Sequence, residues 1–234
     1  ERLAASPYVV SIYGFCGNTV LTEYAGSTLD DFVYSDDDHD EETSKNGTNI
    51  GAIAKEDPQL DISQRVNLAI DVMKGLQAMH DMGMVHADVQ AKQFLLDPEK
   101  EGHVKINDFN RCRFLPKHDE TGQSCKIKIP SAPGGWRSPE EYEMEKIDGK
   151  IDVFSAGYIL FGILTSMKPW DSVMRNDVRR NVMKGKKPEI PEKFWKEGTA
   201  ERAFAEVVDH LFEFHAKDRW SASRVIEELE KIKR

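Results

Sequence analysis

Apolar residues recur at every third or fourth position across residues 62–82, the spacing of one buried helix face. They are Ile62, Val66, Ala69, Ile70, Met73, Leu76 and Met79. Gly83 follows and is placed to end this predicted helix. Similar patterns predict helices at 138–145, 150–166, 172–184, 201–215 and 221–233. The longest apolar run, 153–167, has 15 residues, which is too short to cross a bilayer and predicts a buried core helix.

Strand patterns are confined to short segments of the chain. Residues 9–14 and 19–24 are rich in β-branched and aromatic side chains and flank a Gly-containing turn, which predicts a hairpin. The segment AGSTLDDFV then begins a helix, with Ser27 or Thr28 as its N-cap. Two further strands are predicted at 94–96 and 104–106, and irregular chain at 111–137. The pattern therefore predicts an α+β fold whose body is mainly helical.

The acidic residues are unevenly distributed in this 234-residue chain of net charge −9. Residues 35–57 contain eight acidic residues and two lysines, typical of a solvated, disordered insertion, with a basic partner as the alternative. An acidic chain without a basic stripe is not expected to bind nucleic acid. Three cysteines without a C-x-x-C pair predict neither a disulfide framework nor a zinc site. We expect a reducing, cytoplasmic location without a membrane span.

Five motifs then follow one another along the chain. They are HADVQAKQ at 86–93, KINDFN at 105–110, WRSPEEY at 136–142, DVFSAGYILFGILTSMKPW at 152–170 and DRWSASRVIEELE at 218–230. In this order they resemble the C-terminal lobe of a eukaryotic protein kinase, from its H-R-D-L-x-x-x-N catalytic loop through D-F-G and A-P-E to its last helices. The resemblance, which tilts towards the tyrosine-kinase-like group, implies a protein-kinase-like fold with the N-lobe largely missing. Residues 1–25 would be the remnant of the N-lobe, and 26–234 the C-lobe with the acidic insertion at about 35–57.

The same resemblance implies transfer of the ATP γ-phosphate to a protein hydroxyl with the help of magnesium. Asp88 matches the catalytic aspartate that receives or orients the attacking hydroxyl, and Asp108 matches the aspartate that binds the metal. Gln93 stands where the family has Asn, the second metal ligand. Both side chains offer a carboxamide oxygen, but the extra methylene of Gln makes it an imperfect ligand for an octahedral cation.

Adenine recognition is assigned by the resemblance alone. The segment Thr22, Glu23, Tyr24 and Ala25 matches the hinge, whose backbone N–H and C=O groups, those of Glu23 and Ala25 above all, read the adenine edge. Leu95 matches the side chain that packs beneath the adenine. Lys92 completes the set of residues expected to bind the nucleotide.

Four further matches concern the scaffold. His86 is expected to be structural and to join the catalytic loop to the backbone of the D-F segment. Asp152 is expected to accept backbone N–H groups of the catalytic loop from the start of a helix. Glu140 and Arg219 are expected to form a buried ion pair.

Several departures from the family cluster around the same loop. Ala87 replaces the Arg that binds a phosphorylated activation segment, and Gln90 replaces the Lys of serine/threonine kinases. Asn110 replaces the glycine of D-F-G, a mild change because Asn also adopts positive φ. Arg111 and Arg113 are expected on a solvated basic face. These departures keep a second hypothesis open, a pseudokinase that binds partners without phosphoryl transfer.

The Gly-rich loop and the Val-Ala-x-Lys of the family's N-lobe do not occur in the sequence. We therefore expect the 234-residue chain to be inactive alone and the parent protein to phosphorylate a protein substrate. The A-P-E-like segment and the platform formed by Pro133 and Trp136 favour a protein over a small-molecule substrate. The choice between Ser/Thr and Tyr stays open.

Overall fold

The computed structural model describes residues 6–17, 19–34, 60–171 and 173–233, so the acidic segment 35–57 lies outside the described residues. The helices are α1 (Leu29–Val33), α2 (Ile62–Asp81), α3 (Pro139–Tyr142), α4 (Lys150–Thr165), α5 (Arg175–Met183), α6 (Ala200–Leu211) and α7 (Ala222–Ile232). The strands are β1 (Ile12–Cys16), β2 (Thr19–Thr22), β3 (Met84–Val85), β4 (Phe94–Leu96), β5 (Val104–Ile106) and β6 (Arg113–Phe114). Short 3-10 helices occupy Ala91–Gln93, Phe109–Arg111 and Glu192–Trp195.

Helix α4 lies at the centre of the helical body. Every residue from 151 to 165 is buried, as expected for a helix that is apolar on all sides. It packs against α2 and α6, and α2 packs in turn against α7 and β5. The predicted buried core helix is therefore confirmed, and no helix in the described ranges is long and apolar enough to cross a membrane.

The strands form three separate antiparallel pairs, β1–β2, β3–β6 and β4–β5. In the β4–β5 pair, Phe94 lies opposite Ile106, and both side chains are fully buried. This pair rests on α2 through β5. As a result, the chain before β4 and the chain after β5 emerge side by side, which brings the HADVQAKQ and NDFN segments together.

Most predicted elements are present, with differences at their ends. Thr28 rather than Ser27 caps α1, because its hydroxyl accepts a hydrogen bond from the Asp31 N–H at 3.2 Å in a capping box. The first strand begins at Ile12, three residues later than predicted. Strands β3 and β6 were not predicted from the sequence, because a two-residue strand is too short to show an alternating pattern.

A buried ion pair joins the middle of the chain to the segment before α7. Nη2 of Arg219 lies 3.1 Å from Oε1 of Glu140, which confirms the predicted pair. The guanidinium also donates to the backbone carbonyls of Lys150, Glu213 and Phe214, at 2.7, 2.8 and 3.2 Å. It lies over the ring of Phe154 at 4.8 Å. Arg219 therefore ties α3, α4 and the loop after α6 together.

We predict that Arg219→Met destabilises the protein by roughly 3–5 kcal/mol, because it leaves the Glu140 carboxylate buried without its partner. Urea unfolding followed by circular dichroism measures the change. Arg224→Met is the matched control, since Arg224 pairs with Glu228 on the surface of α7 and has a side chain that is 50% exposed. An Arg219→Met variant no less stable than Arg224→Met would contradict the prediction.

Candidate active site

The segment between β3 and β4 forms a loop held by buried groups. His86 is fully buried, and its Nδ1 accepts a hydrogen bond from the Asp88 N–H at 3.3 Å. Its Nε2 therefore carries the proton and donates to the carbonyl oxygen of Asn107 at 3.0 Å. The expected structural role of His86 is confirmed, because this imidazole joins the loop to the residue before Asp108.

Asp152, in the first turn of α4, binds the backbone of the same loop. Its Oδ2 accepts the N–H of His86 and its Oδ1 accepts the N–H of Ala87, both at 2.8 Å, which confirms the expected contact. Its Oδ2 also contacts Nε2 of His80 at 2.9 Å. A Cβ at Gly149 would lie 2.9 Å from that His80 nitrogen, so glycine leaves the imidazole room to reach Asp152.

Ionisation of Asp152 is favoured despite its complete burial. Burial alone would raise the pKa of this carboxyl group. The hydrogen bond and charge of His80, together with the backbone N–H group of His86, outweigh burial and lower the pKa below its usual value. The carboxylate is therefore a stable acceptor that fixes the backbone of the loop.

Asp88 projects from this loop with one carboxylate oxygen held and the other free. Its Oδ1 accepts hydrogen bonds from Arg137 Nη2, Gln90 Nε2 and Trp136 Nε1, at 2.8, 3.2 and 3.4 Å. None of the donors in the described residues reaches Oδ2. A group held in this way presents a single oriented oxygen that can accept a proton or a hydrogen bond.

Arg137 is a site residue that the sequence reasoning missed. Its side chain is only 4% exposed, and its Nη1 donates to the Ala87 carbonyl at 2.7 Å and to Glu141 Oε1 at 3.3 Å. Its Nε is buried and has no acceptor among the described residues. Two sequence features together could have indicated this role. Gln90 stands at a position where a cation is common, and Arg137 lies directly before the S-P-E motif.

Glu141 and Asp88 contact different nitrogens of the Arg137 guanidinium, Nη1 and Nη2 respectively. Burial raises the pKa of the Glu141 carboxyl group, although the N–H of Ser138 and the charge of Arg137 act in the opposite direction. Arg137 therefore joins the buried Glu141, the candidate catalytic Asp88 and the Ala87 carbonyl.

Asp108 and Gln93 lie on neighbouring segments beside this loop. The backbone N–H of Asn107 donates to the Gln93 carbonyl at 2.7 Å, which fixes the two segments relative to each other. The Gln93 carboxamide makes no hydrogen bond to any other described residue. Asp108 is half-buried, and its Oδ1 accepts only a long bond, 3.4 Å, from the Asn110 N–H. Both side chains therefore have an oxygen that no described donor engages, although the Gln93 side chain is buried.

The backbone around Asp108 differs from the sequence-based expectation. Positive φ occurs at Asp108 itself, 59°, and at Ala87, 60°, whereas Asn110 lies in the 3-10 helix Phe109–Arg111 without it. The tolerance of Asn for positive φ is therefore not what makes the substitution acceptable here. The backbone of a non-glycine residue is strained at positive φ. Two such residues at one site are typical of a functional constraint.

Arg111 is also not on a solvated face, contrary to expectation. It is half-buried and donates to the carbonyls of Ala87 at 3.2 Å and Pro130 at 3.3 Å. Arg113 is exposed, as expected. The carbonyl of Ala87 therefore receives two arginines, Arg111 and Arg137, at the position where the related family carries an arginine side chain of its own.

The predicted hinge residues lie at the end of β2. The N–H of Glu23 donates to the Ser11 carbonyl at 3.0 Å, and its carboxylate pairs with Lys105 at 2.9 Å. No described donor reaches the carbonyl oxygen of Glu23, and the backbone of Ala25 makes no hydrogen bond to another described residue. Leu95 is partly buried in β4, opposite Lys105.

A groove of about 1020 Å³ opens next to the loop that carries Asp88. Gln90, Lys92, Trp136, Tyr158 and Trp170 are among the residues that line it. Lys92 therefore lies on the wall of this groove, which Glu23, Ala25 and Leu95 do not line. The described residues contain no cluster of three or more His, Cys, Asp or Glu side chains able to hold a metal.

We predict that Asp152→Asn destabilises the protein by about 1–3 kcal/mol, because the Asn amide must turn a donor towards a buried N–H group. The pKa of Asp152 is lowered in the folded state, so its contribution is complete above about pH 4 and is lost as the pH falls. Urea unfolding should therefore show a difference between wild type and variant that shrinks on acidification. The exposed Asp119→Asn is the control. A difference that stays constant, or grows, below about pH 4 would contradict this assignment.

The chain matches the family model for protein tyrosine and serine/threonine kinases over residues 2–229. One similar protein is serine/threonine-protein kinase STY46 of Arabidopsis thaliana, 29% identical over 166 residues, which are 70% of this chain and 26% of that protein. The RGS domain-containing serine/threonine-protein kinase A of Dictyostelium discoideum is 24% identical over 194 residues, 83% of this chain and 16% of that protein.

Serine/threonine-protein kinase chk1 of Schizosaccharomyces pombe is 34% identical over 106 residues, 45% of this chain and 20% of that protein. The chain thus spans about a quarter or less of the length of these relatives. The match of the family model over nearly the whole sequence agrees with the order of the five motifs and with the mainly helical fold. The chain belongs to the protein tyrosine and serine/threonine kinase family.

Proposed function

We propose that this chain carries the transfer site of a protein kinase that moves the γ-phosphate of ATP, with magnesium, to a protein hydroxyl. The observation that carries the proposal is the state of Asp88, whose Oδ1 is held by Arg137 at 2.8 Å while Oδ2 meets no donor from the described residues. In phosphoryl transfer the protein takes little part in covalent chemistry, and catalysis depends on positioning and on charge stabilisation. An oriented carboxylate oxygen at the end of a peptide-sized groove meets the first of these needs.

The acceptor side of the proposed reaction belongs to Asp88. Its Oδ2 would accept the hydrogen bond of the attacking hydroxyl and then the proton that this hydroxyl loses. Gln90 and Trp136 would keep the carboxylate from rotating, since both donate to Oδ1.

The nucleotide and its magnesium ion would be bound by residues that were predicted from the sequence. Asp108 and Gln93 would bind magnesium through one oxygen each, in keeping with a cation that takes few protein ligands and completes its shell with phosphate and water. The carbonyl of Glu23 and the N–H of Ala25 would bind the adenine edge, with Leu95 beneath the ring. When bound, magnesium-ATP supplies the phosphoryl group and the positive charge that stabilises its transfer.

Serine or threonine is the proposed acceptor, because the compared relatives are named as serine/threonine kinases. The family model itself covers both tyrosine and serine/threonine kinases. A peptide set with Ser, Thr or Tyr at one central position would separate the two possibilities.

One observation favours a second function, a pseudokinase scaffold. The ion pair between Arg137 and Asp88 is 2.8 Å long and neutralises the charge that the transfer chemistry uses. Together with Gln93 in place of Asn, it is compatible with a protein that keeps the shape of the site and binds partners only.

The test of the proposed function is thermal melting of the full-length protein with ATP, with and without magnesium. Because a ligand that binds only the folded state raises the melting temperature, we expect a magnesium-dependent rise that Asp108→Asn abolishes. Asp88→Asn should keep this rise and lose phosphate transfer to a peptide. A melting temperature that millimolar magnesium-ATP leaves unchanged would favour the scaffold.

We further predict that Arg137→Gln lowers kcat by roughly tenfold to a hundredfold without changing the magnesium-ATP melting shift, because the Asp88 oxygen loses its orientation. Arg137→Lys should recover part of the loss, since lysine keeps the charge but not the fork of donors. Single-turnover phosphate transfer measures the effect. If Arg137→Gln is as active as wild type, Arg137 does not position Asp88.

A further inference from the structure

The groove beside Asp88 carries positive charge that has no close carboxylate partner among the described residues. Lys92, Lys168 and Arg179 line it, against a single carboxylate, Asp30. No carboxylate of the described residues comes within 4.0 Å of any of these three cations. Positive charge is thus concentrated at one groove of a chain whose net charge is −9.

The three cations come from three different parts of the fold. Lys92 lies in the 3-10 helix Ala91–Gln93, Lys168 follows α4, and Arg179 lies in α5. Arg179 is held in place, because it donates to the Tyr142 carbonyl at 3.2 Å and lies over the Tyr142 ring at 5.3 Å. Charges contributed by separate elements along a groove fit an extended polyanion better than a single small anion.

Asp30 offsets only part of this charge, because it is one carboxylate against three cations. Burial and the neighbouring Asp31 raise the pKa of its carboxyl group, while Lys168 and Lys92 act in the opposite direction. Asp30 therefore lies within electrostatic reach of both lysines without forming a close ion pair with either.

The remaining lining of the groove suits a polypeptide. Trp136, Tyr158 and Trp170 present aromatic surface, and Nε1 of Trp170 donates to the Tyr158 hydroxyl at 3.3 Å, which fixes both rings. Trp136 also contacts Oδ1 of Asp88 at 3.4 Å, so one end of the groove reaches the proposed transfer site. Aromatic surface with a few placed charges is typical of a site that binds side chains and backbone together.

We propose that this groove binds a protein segment in which the acceptor hydroxyl is flanked by aspartate or glutamate residues. The inference rests on the proposed function, because it defines the substrate class of the same site. It assigns Lys92 to peptide recognition rather than to the nucleotide contact implied by the family resemblance. Attraction between the acidic residues of the bound substrate segment and the three cations provides the selectivity. Apolar contacts with the aromatic rings provide the rest of the binding.

The test is fluorescence anisotropy with the full-length protein and labelled peptides, in the absence of nucleotide. The peptides share one central serine and differ only in flanking glutamate, glutamine or lysine residues. We expect the glutamate peptide to bind about tenfold more tightly than the lysine peptide, and the difference to shrink at high salt. Equal affinities, or a preference for lysine, would overturn the inference.

Charge-reversal variants show whether the groove is responsible. Lys168→Glu should weaken binding of the glutamate peptide and strengthen binding of the lysine peptide, with Arg179→Glu acting in the same direction. Lys217→Glu is the matched control, because Lys217 is an exposed cation outside the groove. An equal loss of binding in Lys217→Glu would mean that net charge rather than the groove governs binding, which would overturn the inference.

The same peptides separate this inference from the proposed kinase activity. Preferential binding of the glutamate peptide without phosphate transfer would support the groove assignment and count against the enzyme. Phosphate transfer at equal efficiency to glutamate and lysine peptides would support the enzyme and count against the groove assignment. Melting curves of each variant confirm that the fold is retained.

Discussion

The buried carboxylate of Asp152 fixes the loop on which every proposed chemical step depends. Its two oxygens accept the N–H groups of His86 and Ala87, so the backbone before Asp88 has a defined position relative to α4. Because α4 is buried along its length, this position is set by the core rather than by the surface. The cost of burying the charge is offset by His80 and by the two N–H groups, which is why the carboxyl group remains ionised.

Arg137 adds a second constraint from the segment before α3. One guanidinium binds the Ala87 carbonyl, the Asp88 carboxylate and Glu141, so a shift of this segment would change the environment of Asp88 directly. In the sequence pattern of the family, an arginine of the loop itself reaches outward to the activation segment. In this chain the arrangement is the opposite, because Arg111 and Arg137, which lie outside the loop, donate to the backbone carbonyl of Ala87. The described contacts therefore hold the loop without an arginine side chain at position 87.

Much of this arrangement could be predicted from the sequence, because the five motifs specify residues whose partners are set by the fold. The contacts of His86 and Asp152 and the pair between Glu140 and Arg219 are of this kind. The role of Arg137 could not be predicted from spacing, since its partner Asp88 lies 49 residues earlier and the contact exists only after folding. Positive φ at Asp108 rather than Asn110 is equally a result of tertiary structure, which overrides the local preference of Asn.

The proposed acceptor and nucleotide sides of the site rest on different contacts, and one residue takes part in both. Asp88 is oriented by Arg137, whereas the segment leading to Asp108 is joined to Gln93 through the Asn107 N–H. His86 connects the two, because its imidazole binds Asp88 on one side and Asn107 on the other. If Gln93 helps to hold the metal as proposed, its replacement of Asn would therefore affect metal binding without disturbing Asp88 or the groove. Under these proposals, peptide binding and phosphate transfer are for this reason separable, and the groove would keep the proposed preference for acidic segments even in a protein that no longer transfers phosphate.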